Sequence, residues 1–259
     1  MTAVILAAGR GRRLSAVTGD AAKCLARLGG QTLLARQMTL LRSAGLARIA
    51  VVVGHDAEAV AREAGARVTI VHNARHATTN SLYSLWLARQ LLQNGGVVLN
   101  CDVLFDSQLL CDLLTCRHED ALLYAPQAPG ETYSDEEMKV VVRKGRVVAM
   151  GKHLGSSDVD GENVGIARFG VDGAAVLMDE LTRHVTHGGE NAWLPAAFST
   201  FAVRRPLFAV STRGFPWIEI DSPDDYWRAC TDVLPAIDAE RPAGAATASV
   251  TVRRPVHHV

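Results

Sequence analysis

The chain has 259 residues, 48% of them hydrophobic, and its 27 Lys+Arg balance its 27 Asp+Glu. That length and apolar content suit one large α/β domain or two small ones, and the charge balance gives no footing for nucleic acid or an anionic membrane. No apolar run approaches the roughly 20 residues that span a bilayer, no basic segment leads an apolar h-region as in a signal peptide, and five cysteines without a Cys-x-x-Cys pair suit a reducing cytoplasm and argue against zinc.

The first element is a continuous apolar strand, Ala3–Ala8, of the kind buried in parallel sheets. It runs straight into Gly9-Arg10-Gly11-Arg12-Arg13-Leu14, with Lys23 beyond a short loop. Glycines let backbone N–H groups approach a phosphate chain, and flanking cations offset its charge. The stretch is neither a P-loop, which needs Gly-Lys-Ser/Thr, nor a dinucleotide fingerprint, which needs a third glycine where Leu14 stands. Leu33–Ala44 has helical apolar spacing and ends at Gly45. Ile49–Val53 reads as a strand, Ala57–Ala64 as a helix, Val68–Val71 as a strand, Ser81–Leu92 as a helix, and Val97–Leu99 as the strand that delivers Asn100-Cys101-Asp102. This alternation predicts a doubly wound, mostly parallel sheet whose ligands sit beyond the carboxyl ends of its strands. The glycine loop, His55 and Asp102 all fall at such ends. Cys101 reads as a small buried residue.

The pattern changes after about residue 130. Met138–Arg143 and Arg146–Met150 form a predicted hairpin about Lys144-Gly145. Asn163–Phe169 reads as a strand and 173–187 as a helix, and Gly188-Gly189 breaks the chain before Glu190–Ala197. Residues of about 131–200 are expected to form a small β-rich insertion that builds an acceptor pocket over the nucleotide-binding half. Phe208–Ser211 and Trp217–Ile220 return to strand, and Pro223–Val233 is a helix with proline near its start. One domain is therefore expected over 1–234. Residues 235–259, rich in Ala, Pro, Thr and Arg without periodicity, read as a flexible tail or linker.

The opening residues resemble the signature of nucleotidyltransferases that activate sugars and small phosphoesters, Leu-Ala-Ala-Gly-x-Gly-x-Arg-Leu followed by a lysine. The likeness extends through Gly29-Gly30-Gln31-Thr32-Leu33-Leu34 and Ile49–His55. Asn80-Ser81-Leu82-Tyr83-Ser84-Leu85 and Trp217-Ile218-Glu219-Ile220-Asp221-Ser222-Pro223-Asp224-Asp225 are similar to segments of the phosphocholine and phosphonate cytidylyltransferase-like branch. The matches run from about Thr2 to Ala229. The family's prolines before the lysine and after Arg-Leu are replaced by Ala22 and Ser15-Ala16, which loosens the loop without removing its charge.

Nucleotidyl transfer is mostly alignment plus stabilisation of negative charge. Leu6, Ala7, Ala8, Gly9, Arg10, Gly11 and Arg12 are candidates to cradle the triphosphate, although Arg10 and Arg12 equally suit a solvated loop face. Arg13 and Lys23 are the candidate catalytic cations, Arg13 for the β- and γ-phosphates and Lys23 bridging the α-phosphate and the acceptor. Asp102, Glu219 and Asp221 are candidate ligands for Mg²⁺, a hard cation that takes carboxylate oxygens; strand alternation puts Glu219 and Asp221 on one face. Asp221 also suits a helix N-cap, and Asp224 and Asp225 suit first-turn acids. Asn80, Ser81 and Ser84 either read the base or cap a helix. Cytosine, with CTP as co-substrate, is what the resemblance implies. Lys139, Lys152, Glu162 and Trp193 are candidates for the acceptor, with Tyr133, Phe169 and Trp217 as further aromatic walls. His55, His72 and His76 read as surface or packing residues.

The resemblance thus implies a cytoplasmic, CTP-dependent cytidylyltransferase acting on a small phosphonate or phosphate monoester, such as hydroxyethylphosphonate, aminoethylphosphonate or phosphocholine. Neither nucleic acid nor membrane is an expected partner, whereas a homodimer or fusion to another biosynthetic domain is compatible with the sequence. A sugar-1-phosphate nucleotidyltransferase and a non-catalytic nucleotide sensor remain as alternatives.

Overall fold

A computed structural model describes residues 1–239 apart from 129, 131, 135 and 156–158. Strand β1 (Thr2–Ala7) enters the glycine loop and helix α1 (Ser15–Thr18). The short ribbon β2 (Arg27–Leu28) and β3 (Gln31–Thr32) leads into α2 (Leu33–Ser43). Thr32 caps α2 by accepting from Ala35 N at 3.0 Å, and Gly45 follows its end with φ +82°, which glycine adopts without steric cost. Next come β4 (Ile49–Val53), α3 (Ala57–Ala64), β5 (Thr69–His72), α4 (Ser81–Ala88), β6 (Gly96–Asn100) and β7 (Val103–Phe105). The second half contributes α5 (Ser107–Thr115), β8 (Ala121–Pro126), β9 (Lys139–Arg143), β10 (Arg146–Gly151) and β11 (Gly161–Phe169). It closes with α6 (Val171–Thr186), α7 (Leu194–Arg204), β12 (Phe208–Ser211), β13 (Trp217–Glu219), α8 (Pro223–Arg228) and α9 (Leu234–Ala239).

Nine strands form one sheet in the order β5-β4-β1-β6-β11-β8-β12-β10-β9. β5, β4, β1 and β6 are parallel, β11 runs against β6 and β8, and β10 runs against β12 and β9. The sheet is thus mostly parallel and covered on both faces, as the alternation predicted. Successive side chains of β1 divide between two cores. Ala3, Ile5 and Ala7 meet α2, α3 and α5 through Leu34, Met38, Leu41, Val60 and Leu109. Val4, Leu6 and Ala8 meet α4, α6 and α7 through Leu85, Leu181 and Phe201. A third, smaller core joins Leu14, Leu33, Leu104, Ile218, Ile220 and Ile237 beneath the glycine loop.

The stretch expected as an insertion divides in two. β9 and β10 extend the sheet edge as a hairpin whose turn residues Lys144 and Gly145 both have positive φ, 52° and 74°. β11, by contrast, runs through the middle of the main sheet, and α6 and α7 cover its second face. Helical structure also passes the expected start of the tail. α8 continues through a wide π turn at Ala229–Val233 into α9, whose Ile237 is buried. Pro235 has no N–H for the carbonyl four residues back and its ring crowds that carbonyl, which favours the wider turn. The rest of the expected tail, 240–259, lies outside the described residues. No helix among those described is long and apolar enough to cross a membrane.

Candidate active site

A cavity of about 430 Å³ opens at the carboxyl ends of β1 and β6. Its first wall is the glycine loop. Gly11 has φ +64°, and a Cβ there would lie 2.8 Å from the Cβ of Lys23, so the close approach of the loop to Lys23 requires glycine. A Cβ on Gly9 would meet nothing within 4 Å; that side of the loop is open. Arg10 is tied to Asp20 at 2.8 Å and Arg12 is exposed, yet both reach the rim. Asp20 in turn is braced from behind by His55, whose Nε2 lies 2.6 Å from the Asp20 carbonyl. His55 is therefore a support of the rim, and His76 is the histidine that lines the cavity.

The second wall carries the acids. β13 pairs antiparallel with β7, and Ile220 N donates to Asp102 O at 2.9 Å, which lays residues 219–221 alongside Asp102. Ligand oxygens of Asp102, Glu219 and Asp221 lie within 4.8 Å of one another. Ser222, not Asp221, caps α8; Asp225 completes a capping box and also accepts from Asp221 N at 3.2 Å. This leaves the Asp221 side chain free of capping duty and turned to the cations.

Lys23, with 9% of its side chain exposed, sits between two of these acids, donating to Asp102 Oδ2 at 3.0 Å and to Asp221 Oδ1. Burial works to lower its pKa, but the adjoining Asp102 carboxylate outweighs burial and holds the ammonium above its ordinary range. Arg13 reaches Asp221 at 2.5 Å and Glu136 at 2.7 Å. Glu219 is pushed up to about 7 by burial and then by the charge of Asp102. Asp102 Oδ1 is buried without a hydrogen-bond partner. Three clustered acids, one held toward its protonated form until about pH 7 and another with an orphaned oxygen, fit a divalent cation. Cys101 is buried beside them. A hydrogen bond with Cys24, together with burial, pushes its thiol pKa up and favours the neutral thiol of a small packing residue.

The helix α4 supplies the third wall. Asn80 caps it, with Oδ1 accepting from Ser81 N at 2.8 Å. Ser81 Oγ accepts from Leu194 N at 2.8 Å and Ser84 Oγ accepts from Asn73 Nδ2 at 3.1 Å. All three line the cavity, so capping and a ligand-facing position coexist.

The fourth wall differs from expectation. Lys152 and Trp193 line it, with Lys152 Nζ 5.2 Å from the Trp193 ring centroid. Lys139 does not; its side chain is buried and Nζ donates to the Lys152 carbonyl at 2.7 Å, propping that segment. Glu162 does not line the cavity either. It pairs across the sheet with Lys139, and strand alternation turns its neighbour Asn163 inward instead. Ala7 likewise points its methyl into the first core. Phe169 packs in the second core against Phe198 and Phe201, Trp217 lies against the first, and Tyr133 is not on the wall. In their place the structure brings in Glu136, Met138, Asn163 and Phe198.

The model of the MobA-like NTP transferase domain matches residues 3–213. The chain belongs to that family. It is a nucleotidyltransferase domain, and its fold is that of the cytidylyltransferases among its relatives. A bifunctional IPC transferase and DIPP synthase of Rubrobacter xylanophilus is 31% identical over 231 residues, 86% of this chain and 50% of that protein. The chain thus spans half the length of that relative. A CMP-5'-(3-aminopropyl)phosphonate synthase of Streptomyces rubellomurinus is 38% identical over 114 residues, 42% of this chain and 18% of that one. The solved CTP:phosphocholine cytidylyltransferase of Streptococcus pneumoniae superposes with a TM-score of 0.70 at 20% identity, covering 88% of this chain and 96% of the other.

Glu136 holds Arg13 at 2.7 Å and lies 3.7 Å from Lys152. Its carboxylate thus competes for two cations that suit a ligand phosphate. Glu136→Gln is expected to lower the KM of the substrate these cations bind about two- to fivefold, a modest gain because the pair is exposed; steady-state kinetics checks it.

Proposed function

We propose that this domain catalyses CTP-dependent cytidylyl transfer to a small phosphonate or phosphate monoester, releasing pyrophosphate. One observation carries the reading: the buried Lys23 lies between Asp102 and Asp221, beside Arg13, at the mouth of an open glycine loop. A sensor that only holds nucleotide has no need of this combination of acids and buried cation.

In the reaction an acceptor oxygen attacks the α-phosphorus of CTP, a bond forms between them, and the bond to the β-phosphate oxygen breaks. An acceptor phosphate has its second pKa near ~6, so its oxygen is anionic at neutral pH and no strong general base is required. The backbone of Gly9 to Arg13 holds the triphosphate, and Arg13 offsets charge as it builds on the departing pyrophosphate. Lys23, once drawn from the acids, holds the α-phosphate and acceptor oxygens together against their mutual repulsion. Asp102, Glu219 and Asp221 would hold Mg²⁺, which neutralises phosphate charge and fixes the geometry of the transfer. Asn80, Ser81 and Ser84, which line the cavity, read the base. Lys152 takes the acceptor phosphoryl group. Five free cysteines accord with a cytoplasmic setting.

The test is a pyrophosphate-release matrix. CTP, UTP, dTTP and GTP are each paired with phosphocholine, 2-aminoethylphosphonate, 2-hydroxyethylphosphonate, inositol phosphate and glucose 1-phosphate. Release is expected with CTP and a non-sugar acceptor. Turnover confined to glucose 1-phosphate would make the domain a sugar nucleotidyltransferase, and nucleotide binding without release in any pairing would make it a sensor.

A further inference from the structure

Asn163 has no part in holding the fold through its side-chain oxygen. The residue is 7% exposed, it lines the acceptor end of the cavity, and its Oδ1 is buried without a hydrogen-bond partner. Its main-chain N–H is satisfied by Met138 O at 2.8 Å, so the backbone is firmly placed here while the carboxamide oxygen is left over. The surrounding strand is shaped around this point. Pairing of β11 with β8 slips between Asn163 and Ala167, and Gly165 takes φ +81° with the Asn100 amide against it. Such irregularities re-aim side chains next to binding sites. A buried carbonyl oxygen that no protein group satisfies calls for a donor from the ligand.

The same wall is poor in what a quaternary ammonium needs. A trimethylammonium group has no N–H and is held by several aromatic faces around it. Among the described lining residues, Trp193 and Phe198 are the Trp, Tyr and Phe side chains, and Lys152 already lies over the Trp193 ring. Phe198 is only 4% exposed and committed to the second core.

Building on the proposed cytidylyl transfer, we infer that Asn163 selects the acceptor. It accepts a hydrogen bond from a primary ammonium or hydroxyl group at the end of the acceptor remote from phosphorus, and thereby discriminates against trimethylammonium. The substrate class is a short phosphonate or phosphate monoester bearing such a donor. A trimethylated acceptor leaves the buried oxygen unsatisfied and displaces any water that served it, which costs affinity.

The discriminating pair is phosphoethanolamine and phosphocholine, which differ by three methyl groups. With saturating CTP, kcat/KM is expected to favour phosphoethanolamine about 10- to 100-fold. Asn163→Leu should bring the two within about threefold, mainly by raising the KM for phosphoethanolamine. Its CTP affinity by calorimetry should stay within about twofold, whereas its kcat/KM for phosphocholine should rise, because no oxygen is left unsatisfied beside the methyl groups. Asn163→Asp keeps an acceptor oxygen and should keep the preference. If Asn163→Leu fails to fold, Asn163→Ala, which only removes atoms, serves the same comparison. Parallel assays with 2-aminoethylphosphonate and 2-hydroxyethylphosphonate decide whether ammonium or hydroxyl is the better donor. Equal or better use of phosphocholine by the unmodified protein, or an unchanged preference in Asn163→Leu, would overturn the inference while leaving cytidylyl transfer intact. Absence of pyrophosphate release from CTP with every acceptor, inositol phosphate included, would overturn both.

Discussion

Replacing Lys23 by alanine is expected to lower kcat for nucleotidyl transfer about 100-fold or more, with a smaller change in the KM for CTP. The reason lies in where charge accumulates. Two anions, the α-phosphate and the acceptor oxygen, must come within bonding distance, and a cation fixed between them is worth most in the transition state. Among the described cations lining the cavity Lys23 has the most buried side chain, 9% exposed against 24% for Lys152, and it is anchored behind the Gly11 turn that approaches its Cβ. Its ammonium is also the counter-ion of Asp102 and Asp221 when no ligand is bound. Alanine therefore leaves Asp102 without its ammonium partner and Asp221 with Arg13 alone, so the variant should melt below the unmodified protein without Mg²⁺ and recover more of its Tm when Mg²⁺ is added. Arginine is not expected to rescue turnover, since its planar fork cannot replace a compact ammonium in so small a space. Turnover within about threefold of the unmodified enzyme would remove Lys23 from the chemistry.

The parts of this molecule that are legible in its sequence are those where the signal is local. β1, α2, β4 and α3 follow from apolar runs, helical spacing and end signals within a few residues of each other, and the structure places them within one residue of expectation. α5, β8 and α7 lie outside the elements expected from the sequence, although α5 and α7 carry local signals. Asp106 caps α5, accepting from Gln108 N at 2.6 Å, and Leu109, Leu110 and Leu113 form its buried face. In α7 the first-turn Pro195 is a helix start signal that falls inside the expected stretch Glu190–Ala197, which takes Gly188-Gly189 as its boundary instead. The place of β11 in the middle of the sheet is a matter of long-range pairing with β6, which no local pattern states.

The site divides in the same way. Residues fixed by the strand-to-loop transition at Gly9–Arg13, or by alternation at Glu219 and Asp221, fell where the sequence put them. The fourth wall did not, because it is assembled from four separate segments and its composition depends on which face of β11 turns inward. Between Glu162 and Asn163 that choice is a single residue wide. Asn163 carried one available signal, a polar residue at the head of an apolar strand run. The ion pair of Arg13 with Glu136, 123 positions away, had none.

Glu219 offers a prediction in which stability and activity move in opposite directions. Its carboxyl is pushed up to about 7 by burial and by Asp102, from an ordinary value of 4.5. Between those two values the folded protein holds a proton that the unfolded chain has lost. The metal-free protein therefore loses stability as pH rises from about 4.5 through 7, and above 7 the full cost of an ionised Glu219 beside Asp102 is present. Glu219→Gln removes that cost while keeping the shape of the protonated acid. The variant is expected to melt about 2–6 °C above the unmodified protein at pH 8 without metal, and within about 1 °C of it at pH 5. Its catalysis should fall about 100-fold at any pH, because an amide is a poorer ligand for a hard divalent cation than a carboxylate. In the unmodified enzyme the same titration should make the apparent Mg²⁺ affinity climb as pH passes 7, since binding must expel the proton. Scanning calorimetry at the two pH values and Mg²⁺-dependent pyrophosphate release check each half. A Glu219→Gln protein that is less stable at pH 8, or that keeps full activity, would place Glu219 in the fold and outside the metal site. Higher stability joined to lost turnover is the pattern expected of like charges kept together for a ligand that the fold alone does not supply.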